Sequence, residues 1–329
     1  VKSQIDNLLM DTKKSSLDIA KTNTETKNLL LIDIAKNINE SRTSILLNNE
    51  KDLNLLDPKN FSPAFYDRLK LNDERIDQMI QNINEVIDLE DPVRKNRFLY
   101  ERPNGLKVFK QSIPLGVICI IYESRPNVTS DAASLCLKSG NSVLLRGGSE
   151  CFNTNKILVD IIQKSLIKNN INKDSINLVP YTDREVMKYI LRKDDDVDLV
   201  IPRGGEGLIR FVSENSSIPV IKHYKGVCHV YLDSEADLKI AHDIAINSKI
   251  QRPGVCNAME TLIINKNLPK DFILNLLHEF INNKVLIYGE DELSNYISND
   301  LFTKLTPEDY HNEYLAVSYT HLRAHETKK

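Results

Sequence analysis

The sequence predicts an α/β protein in which parallel sheets are flanked by helices. Three observations support this fold class. In the first hundred residues, apolar side chains recur at helical spacing, whereas beyond Asp91 short apolar runs alternate with helical patterns. The apolar runs lack a polar face, which indicates a sheet buried on both faces. Strands that alternate with helices in this way are typical of parallel βαβ units.

The individual elements follow from the same patterns. In the N-terminal part, Asn72 stands where a helix cap is expected, directly before an apolar stripe of helical period. The predicted strands cover residues 117–122, 142–146, 178–181, 198–202, 228–232 and 261–265. The predicted helices between them cover residues 130–138, 153–168, 183–192, 206–214 and 236–249.

Composition narrows the class of protein. The chain has 329 residues, of which 41% are hydrophobic, so it can bury a large core and form more than one domain. Its net charge of -3 gives no reason to expect a nucleic-acid or membrane partner. The apolar runs are too short to span a bilayer, and no secretory leader is recognisable. Five cysteines without zinc spacing predict reduced thiols, no metal site and a cytoplasmic location.

The last residues, 317–329, differ from the rest. They have little periodicity and are rich in His and Thr. We therefore expect a non-native tail and leave it out of the prediction of the fold. His321 and His325 stand at helical i, i+4 spacing, but a metal site needs a further ligand.

A glycine turn follows the predicted strand 142–146. Arg146, Gly147, Gly148 and Ser149 combine a basic residue, close backbone approach and a hydroxyl ahead of a helix, which favours phosphate binding. A nearby arginine accommodates a 2′-phosphate, so the turn favours NADPH. Glu150 argues against this unless its carboxylate turns away, and a plain structural turn is the alternative reading.

A second glycine turn follows the strand 198–202. Gly204 and Gly205 again stand between a strand and a helix, although the motif is neither a dinucleotide fingerprint nor a Walker loop. Two such turns in one chain are consistent with one dinucleotide held between them. Close packing of strand on helix is the alternative.

Residues 251–257 form a predicted loop that contains a candidate nucleophile, Cys256. Pro and Gly place this thiol outside the core, and the neighbouring Arg252 favours its reactive thiolate form. Cys119, Cys136 and Cys228 lie in apolar strands or a helix and are expected to be buried. Cys151 remains a competitor because it stands near a helix N-terminus.

The segment 122–129 connects a buried strand to a helix. Ligands of α/β proteins bind beyond the carboxyl ends of strands, which makes this segment a candidate site. Asn127 can donate an amide hydrogen bond to an oxyanion, or it can cap the helix. Arg125 can hold a carboxylate or a phosphate.

Taken together, these segments resemble the gamma-glutamyl phosphate reductases (glutamate-5-semialdehyde dehydrogenases) of the aldehyde dehydrogenase superfamily. The similarity extends to about Leu315, and the motifs that carry it are IPLGV at 113–117, YESRPNVT at 122–129, LRGG at 145–148, IPRGG at 201–205 and QRPGVCN at 251–257. The resemblance implies an aldehyde dehydrogenase-like fold. Residues 1–225 would hold the N-terminal helices and the dinucleotide-binding domain, with an oligomerisation strand region near 97–113, and residues 226–316 an incomplete catalytic domain.

The resemblance also implies a reaction. In such an enzyme the thiol of Cys256 attacks L-glutamyl 5-phosphate, phosphate departs, and NADPH reduces the resulting thioester to L-glutamate 5-semialdehyde in proline biosynthesis. Asn127 and the Cys256 amide would form the oxyanion hole, and residues 146–149 with 204–205 would hold the nucleotide. We expect Arg125 and Arg252 to contact substrate anions. A full-length homo-oligomer and a contact with glutamate 5-kinase are also implied.

Two features distinguish the alternatives. Residues 221–229 contain no acid that could activate water against a thioester, as a reductase requires, while His223 or His229 could shuttle a proton. An NAD-dependent aldehyde dehydrogenase is the second reading, and the missing acid and the basic turn at Arg146 count against it. Members of the family continue beyond the match at Leu315, so we expect exposed apolar surface, poor stability and weak activity. An inactive nucleotide-binding fragment is the third reading.

Overall fold

The structure, a computed structural model, describes residues 1–56, 63–222, 226–253, 255–307, 309–311, 314 and 320–325. The chain divides into two compact units, Val1–Lys222 and His223–Lys329. This boundary lies three residues before the predicted one at 225/226, and the functions predicted for the two units stay predictions.

The first unit begins with a layer of helices: α1 (Lys2–Ile19), α2 (Thr24–Glu40), α3 (Arg42–Asn54), α4 (Pro63–Leu69) and α5 (Asp73–Asp88). Their apolar stripes are buried, as expected from the spacing; Ile34 and Ile38, for example, are inaccessible to solvent or nearly so. The predicted cap of α5 is confirmed, because the Asn72 side chain accepts a hydrogen bond from Arg75 N at 2.9 Å.

An antiparallel hairpin projects its side chains into solvent. It consists of β1 (Asn96–Glu101) and β2 (Lys107–Gln111), and every residue of β1 is exposed. The rings of Phe98 and Phe109 meet edge to face with centroids 5.5 Å apart. The hairpin falls in the region 97–113, whose role in oligomerisation stays a prediction.

The centre of the first unit is a parallel four-stranded sheet with the order β5-β4-β3-β6. Its elements are β3 (Val117–Tyr122), α6 (Asn127–Lys138), β4 (Ser142–Arg146), α7 (Phe152–Lys168), β5 (Ile176–Leu178), α8 (Arg184–Ile190), β6 (Leu199–Arg203) and α9 (Glu206–Asn215). All six side chains of β3 are buried, as expected for a central strand covered on both faces. The chain crosses from β5 back to the far side of β3, so the direction of winding reverses between β3 and β6.

The prediction for the third strand of this sheet was wrong in position. The expected strand at 178–181 is observed two residues earlier, as β5, where Ile176 pairs with Val143 of β4. Polar Asn177 concealed the strand, because its buried amide is satisfied by a hydrogen bond to Thr12 Oγ1 at 2.9 Å. A local pattern cannot show such a distant partner.

The second unit contains another parallel sheet, with the order β10-β9-β11-β8-β7. Its elements are β7 (Cys228–Leu232), α10 (Leu238–Ile250), β8 (Met259–Asn265), α11 (Lys270–Asn282), β9 (Ile287–Gly289), β10 (Thr303–Lys304) and β11 (Thr320–His325). Its core is formed by apolar residues of α10, α11 and β8, including Leu262, Leu277 and Phe280.

The tail, which was left out of the prediction of the fold, contributes a strand to this sheet. β11 pairs in parallel with both β8 and β9. Strand pairing uses main-chain groups, so a segment without apolar periodicity can still complete a ladder. The non-native origin of residues 317–329 stays a prediction.

Candidate active site

Three chain segments meet at one edge of the first unit's sheet. β3, β4 and β6 are parallel neighbours, so their carboxyl ends lie side by side. The segments that leave them begin at Glu123, Gly147 and Gly204. This edge includes the place where the winding direction reverses, which is where α/β proteins bind their ligands. The structure thus brings the two predicted glycine turns together.

Two consecutive residues after β3 connect these turns. Gly205 N donates to Glu123 Oε2 at 3.0 Å. Ser124 donates twice to Glu150 Oε1, from its amide at 3.0 Å and from its hydroxyl at 2.8 Å. Ser124 adopts a φ of 40°, in the left-handed region that non-glycine residues seldom occupy. The Glu150 carboxylate is therefore drawn back over its own turn toward Ser124.

Arg146, at the end of β4, has an incompletely satisfied guanidinium. Its Nη2 donates to the carbonyl oxygen of Thr182, whereas its buried Nε has no hydrogen-bond partner within the described residues. Burial lowers the pKa of Arg146, and the carboxylate of Glu150 opposes this shift. A buried N–H of a cation without an acceptor fits an anionic ligand.

A network of buried polar side chains packs against the first glycine turn. Tyr122 Oη lies 2.7 Å from Thr129 Oγ1, which donates to Asn155 Oδ1 at 3.0 Å. Asn155 Nδ2 in turn donates to Cys151 Sγ at 3.2 Å. A Cβ on Gly147 would come within 2.2 Å of that same Nδ2. The turn therefore passes so close to the network that only glycine fits.

The helix after this turn is fixed by a distant carboxylate. Asp52 of α3 is almost fully buried and accepts from the amides of Asn153 and Thr154 at 3.1 and 2.7 Å. It also accepts from the Thr154 hydroxyl at 2.6 Å. A negative charge at a helix N-terminus is stabilising. Asp52 was not identified from the sequence, because its partners lie about a hundred residues away.

Asn127 is the first residue of α6 and does not cap it; the cap position is Pro126, which makes no side-chain cap hydrogen bond. One N–H of the Asn127 amide donates to Asp131 Oδ2 at 3.0 Å. An amide group has two N–H donors, so this bond leaves one for another acceptor. Arg125 is exposed next to it.

Cys256 lies in the second unit, on the loop between α10 and β8. The loop was predicted correctly; residue 254 lies outside the described residues. Both Cys256 and Arg252 are exposed. Cys256 lies within a turn that is closed by a hydrogen bond from Ala258 N to Val255 O at 3.0 Å, and Cys228 Sγ donates to the Cys256 carbonyl at 3.4 Å.

The other thiols differ from Cys256 in burial. Cys119, Cys136 and Cys151 are buried, and burial raises the pKa of each to about 12. Since the thiolate is the nucleophile, Cys151 is a poor competitor. The expectation that Cys228 is buried was wrong, because its side chain is only half-buried and contacts the Cys256 loop.

A buried ion pair flanks the same loop. Lys249 Nζ of α10 lies 3.1 Å from Glu260 Oε2 of β8, and the two side chains are 0% and 1% exposed. Burial lowers the pKa of Lys249, and the charge of Glu260 counteracts that shift. Sequence reasoning missed this pair. The one signal was an acidic residue at the start of an otherwise apolar strand.

Of the two histidines considered for proton transfer, the structure describes one. His229 is exposed, with Nδ1 2.7 Å from the Val227 carbonyl oxygen, and His223 lies outside the described residues. In the described ranges, no group of three or more His, Cys, Asp or Glu side chains is arranged to hold a metal ion. None of the described helices is both long and apolar enough to cross a bilayer.

Comparison with solved structures identifies the class of fold. The chain is similar to a glyceraldehyde-3-phosphate dehydrogenase from Methanocaldococcus jannaschii complexed with NADP, with a TM-score of 0.62 and 14% identity over 98% of this chain and 76% of that one. A probable aldehyde dehydrogenase from Listeria monocytogenes gives a TM-score of 0.63 at 14% identity, over 99% and 76% of the two chains. The protein therefore has the aldehyde dehydrogenase fold, as predicted.

Sequence comparison narrows the class to one family. A gamma-glutamyl phosphate reductase from Citrifermentans bemidjiense is 44% identical over 315 residues, which cover 96% of this chain and 75% of that protein. The crystal structure of the Thermotoga maritima gamma-glutamyl phosphate reductase matches with a TM-score of 0.87 and 36% identity, over 97% and 76%. A scan against protein-family models finds no match. The chain belongs to the gamma-glutamyl phosphate reductase family.

Proposed function

We propose that the protein reduces L-glutamyl 5-phosphate to L-glutamate 5-semialdehyde, with release of phosphate, as a step of proline biosynthesis. The observation that carries this proposal is the exposed thiol of Cys256 on a Pro-Gly loop, in a chain 44% identical to a gamma-glutamyl phosphate reductase. Cys119, Cys136 and Cys151 are buried and cannot meet a substrate.

The reaction has two stages. The Cys256 thiolate attacks the acyl carbon, the bond from that carbon to the phosphate oxygen breaks, and phosphate leaves. NADPH, when bound, supplies the hydride for the thioester formed on Cys256. The carbon–sulfur bond then breaks, which frees the aldehyde and restores the thiolate. Covalent catalysis replaces one difficult displacement by two easier steps.

Two donors are proposed for the oxyanion that develops on the acyl oxygen. The second N–H of the Asn127 amide is one, since its first N–H is taken by Asp131. The amide of Cys256 is the other. Fixed donors of this kind contribute most where charge develops in the transition state.

The nucleotide is proposed to lie along the carboxyl edge of the first sheet. The contributing residues are Arg146, Gly147, Gly148, Ser149, Gly204 and Gly205. The unsatisfied Nε of Arg146 supports an anionic ligand such as a 2′-phosphate, and Ser149, which follows in the same turn, is exposed. Glu150, the argument against NADPH, is engaged by Ser124.

Two arginines are proposed to bind the anionic groups of the substrate. Arg125 and Arg252 are both exposed and stand beside Asn127 and Cys256 in the sequence. A guanidinium suits carboxylate and phosphate groups because its donors match their geometry. Residues 221–229 contain no acid, which would protect the thioester from hydrolysis.

The proposal is tested by running the reaction backwards. Glutamate 5-semialdehyde and NADP⁺ are supplied with and without phosphate, to the chain of 329 residues and to the same chain extended by the C-terminal segment of a relative. We expect phosphate-dependent formation of NADPH, its loss in Cys256→Ser, and its persistence in Cys228→Ser. Phosphate-independent oxidation with NAD⁺ would instead favour an aldehyde dehydrogenase, and a silent extended chain would overturn the assignment.

A further inference from the structure

The loop that carries Cys256 is anchored at both ends by adjacent side-chain contacts. Lys249 is the penultimate residue of α10, and Glu260 is the second residue of β8. Next to this pair, Ser248 Oγ donates to Met259 Sδ at 3.6 Å. The two contacts join the end of the helix to the start of the strand, across the ten residues that include the nucleophile.

A series of contacts leads from Glu260 to Cys256 through the neighbouring strand. Met259, adjacent to Glu260, pairs with Cys228 at the start of β7. The thiol of Cys228 donates to the Cys256 carbonyl at 3.4 Å. A shift of Glu260 therefore displaces the contact that holds the main chain of the nucleophile.

Stability alone does not explain a pair at this place. Removing two charges from water is unfavourable, and a well-packed apolar pair of similar volume is often as stable or more so. An ion pair differs from such an apolar pair in that it is directional: Lys249 Nζ and Glu260 Oε2 must meet in one geometry. Directional fixation matters where small displacements alter a reaction rate.

We propose that the buried Lys249–Glu260 pair is a positioning element, which holds the main chain at Cys256 in the conformation from which this thiol attacks its substrate. This inference rests on the proposed function. Lys249 and Glu260 act through the loop, since both side chains are buried from solvent.

The decisive variant is Lys249→Met/Glu260→Met, which removes both charges and retains the volume. Thermal unfolding and circular dichroism are used to check that this variant folds. We expect kcat of the phosphate-dependent reaction to fall by about tenfold to a hundredfold, with KM nearly unchanged. The rate of Cys256 alkylation by iodoacetamide, followed on its peptide by mass spectrometry across a pH series, should change in parallel. Lys249→Arg, which keeps the charge, should retain the wild-type kcat and alkylation rate.

A matched control removes a buried pair elsewhere. Lys27 Nζ lies 2.5 Å from Asp91 Oδ2 in the first unit, with side chains 1% and 10% exposed. Lys27→Met/Asp91→Asn should leave the alkylation profile of Cys256 unchanged. Wild-type kcat and alkylation in the Lys249→Met/Glu260→Met variant would overturn the inference.

The alkylation measurement does not depend on the substrate, so it separates this inference from the proposed function. A wild-type chain that stays without phosphate-dependent activity after the C-terminal extension refutes the function, while the alkylation rates still decide whether the pair positions the loop. If the double variant does not fold, Glu260→Asp replaces it, since it withdraws the carboxylate by one methylene. Slower alkylation then supports the inference, and an unchanged rate contradicts it.

Discussion

The Gly147→Ala substitution tests whether the first glycine turn rests on the buried network beneath it. The added Cβ would lie 2.2 Å from Asn155 Nδ2. Asn155 is completely buried and hydrogen-bonded to Thr129 and Cys151, so its side chain cannot move aside without breaking one of these bonds. Overpacking of this kind destabilises a fold by about 1–3 kcal/mol. A displaced buried amide adds about 1–3 kcal/mol when it loses its partner.

Alanine also lowers the conformational entropy of the unfolded chain, which offsets about 0.4–1 kcal/mol of the lost stability. We therefore expect the free energy of unfolding to fall by about 1–6 kcal/mol, measured by urea denaturation followed by circular dichroism. The affinity for NADP⁺, measured by fluorescence titration, should fall as well, because the turn must shift.

Two controls make the test specific. A Cβ on Gly207, in the first turn of α9, has no atom within 4 Å, so Gly207→Ala should stabilise the helix by up to about 1 kcal/mol. Gly147→Ala/Asn155→Ala removes the colliding amide, so its loss should be smaller than the sum of the two single losses. Additive losses, or a Gly147→Ala variant as stable as wild type, would refute the contact between turn and network.

Three further predictions concern other parts of the first unit. Asp52→Ala leaves amides at the start of α7 and the Thr154 hydroxyl without an acceptor, so denaturation should show a loss of about 2–4 kcal/mol. The hydrogen bond from Lys168 lowers the pKa of Asp33 below its ordinary 3.8, so this pair stabilises the fold above that pH and the benefit disappears as pH falls through the lowered pKa. Asp33→Asn should thus lose about 0.5–1 kcal/mol at pH 7, and the difference from wild type should vanish in acid. Phe98→Ser/Phe109→Ser removes an exposed ring pair from the hairpin and should weaken self-association in sedimentation velocity; an unchanged oligomer would exclude the hairpin as the contact.

Elements that depend on their own local sequence were predicted better than elements that depend on contacts with distant residues. β3 was predicted at its observed bounds, because a strand buried on both faces has an unbroken apolar sequence. The hairpin strand β1 has no buried face and therefore no such pattern. β5 was misplaced because Asn177 is satisfied by Thr12, far away in sequence.

The candidate site followed the same rule. The glycine turns and the Cys256 loop were identified because Gly, Pro and Cys are recognisable individually. Asp52 and the Lys249–Glu260 pair were not identified. The sequence around a buried charged residue does not show which distant residue will form a hydrogen bond or ion pair with it. The half-buried state of Cys228 was missed because its strand, although mostly apolar in sequence, is only partly buried.

The central claim is that Cys256 carries the acyl group of the substrate. A rapid-mixing experiment without phosphate tests this most directly: glutamate 5-semialdehyde and NADP⁺ are mixed with the C-terminally extended chain, and NADPH is followed by absorbance. The account predicts a burst of about one NADPH per chain, a glutamyl thioester on the Cys256 peptide by mass spectrometry, and renewed turnover when phosphate is added. Cys228→Ser should retain the burst and Cys256→Ser should lose it. A burst that survives in Cys256→Ser, or an acyl group found on another residue, would contradict the account.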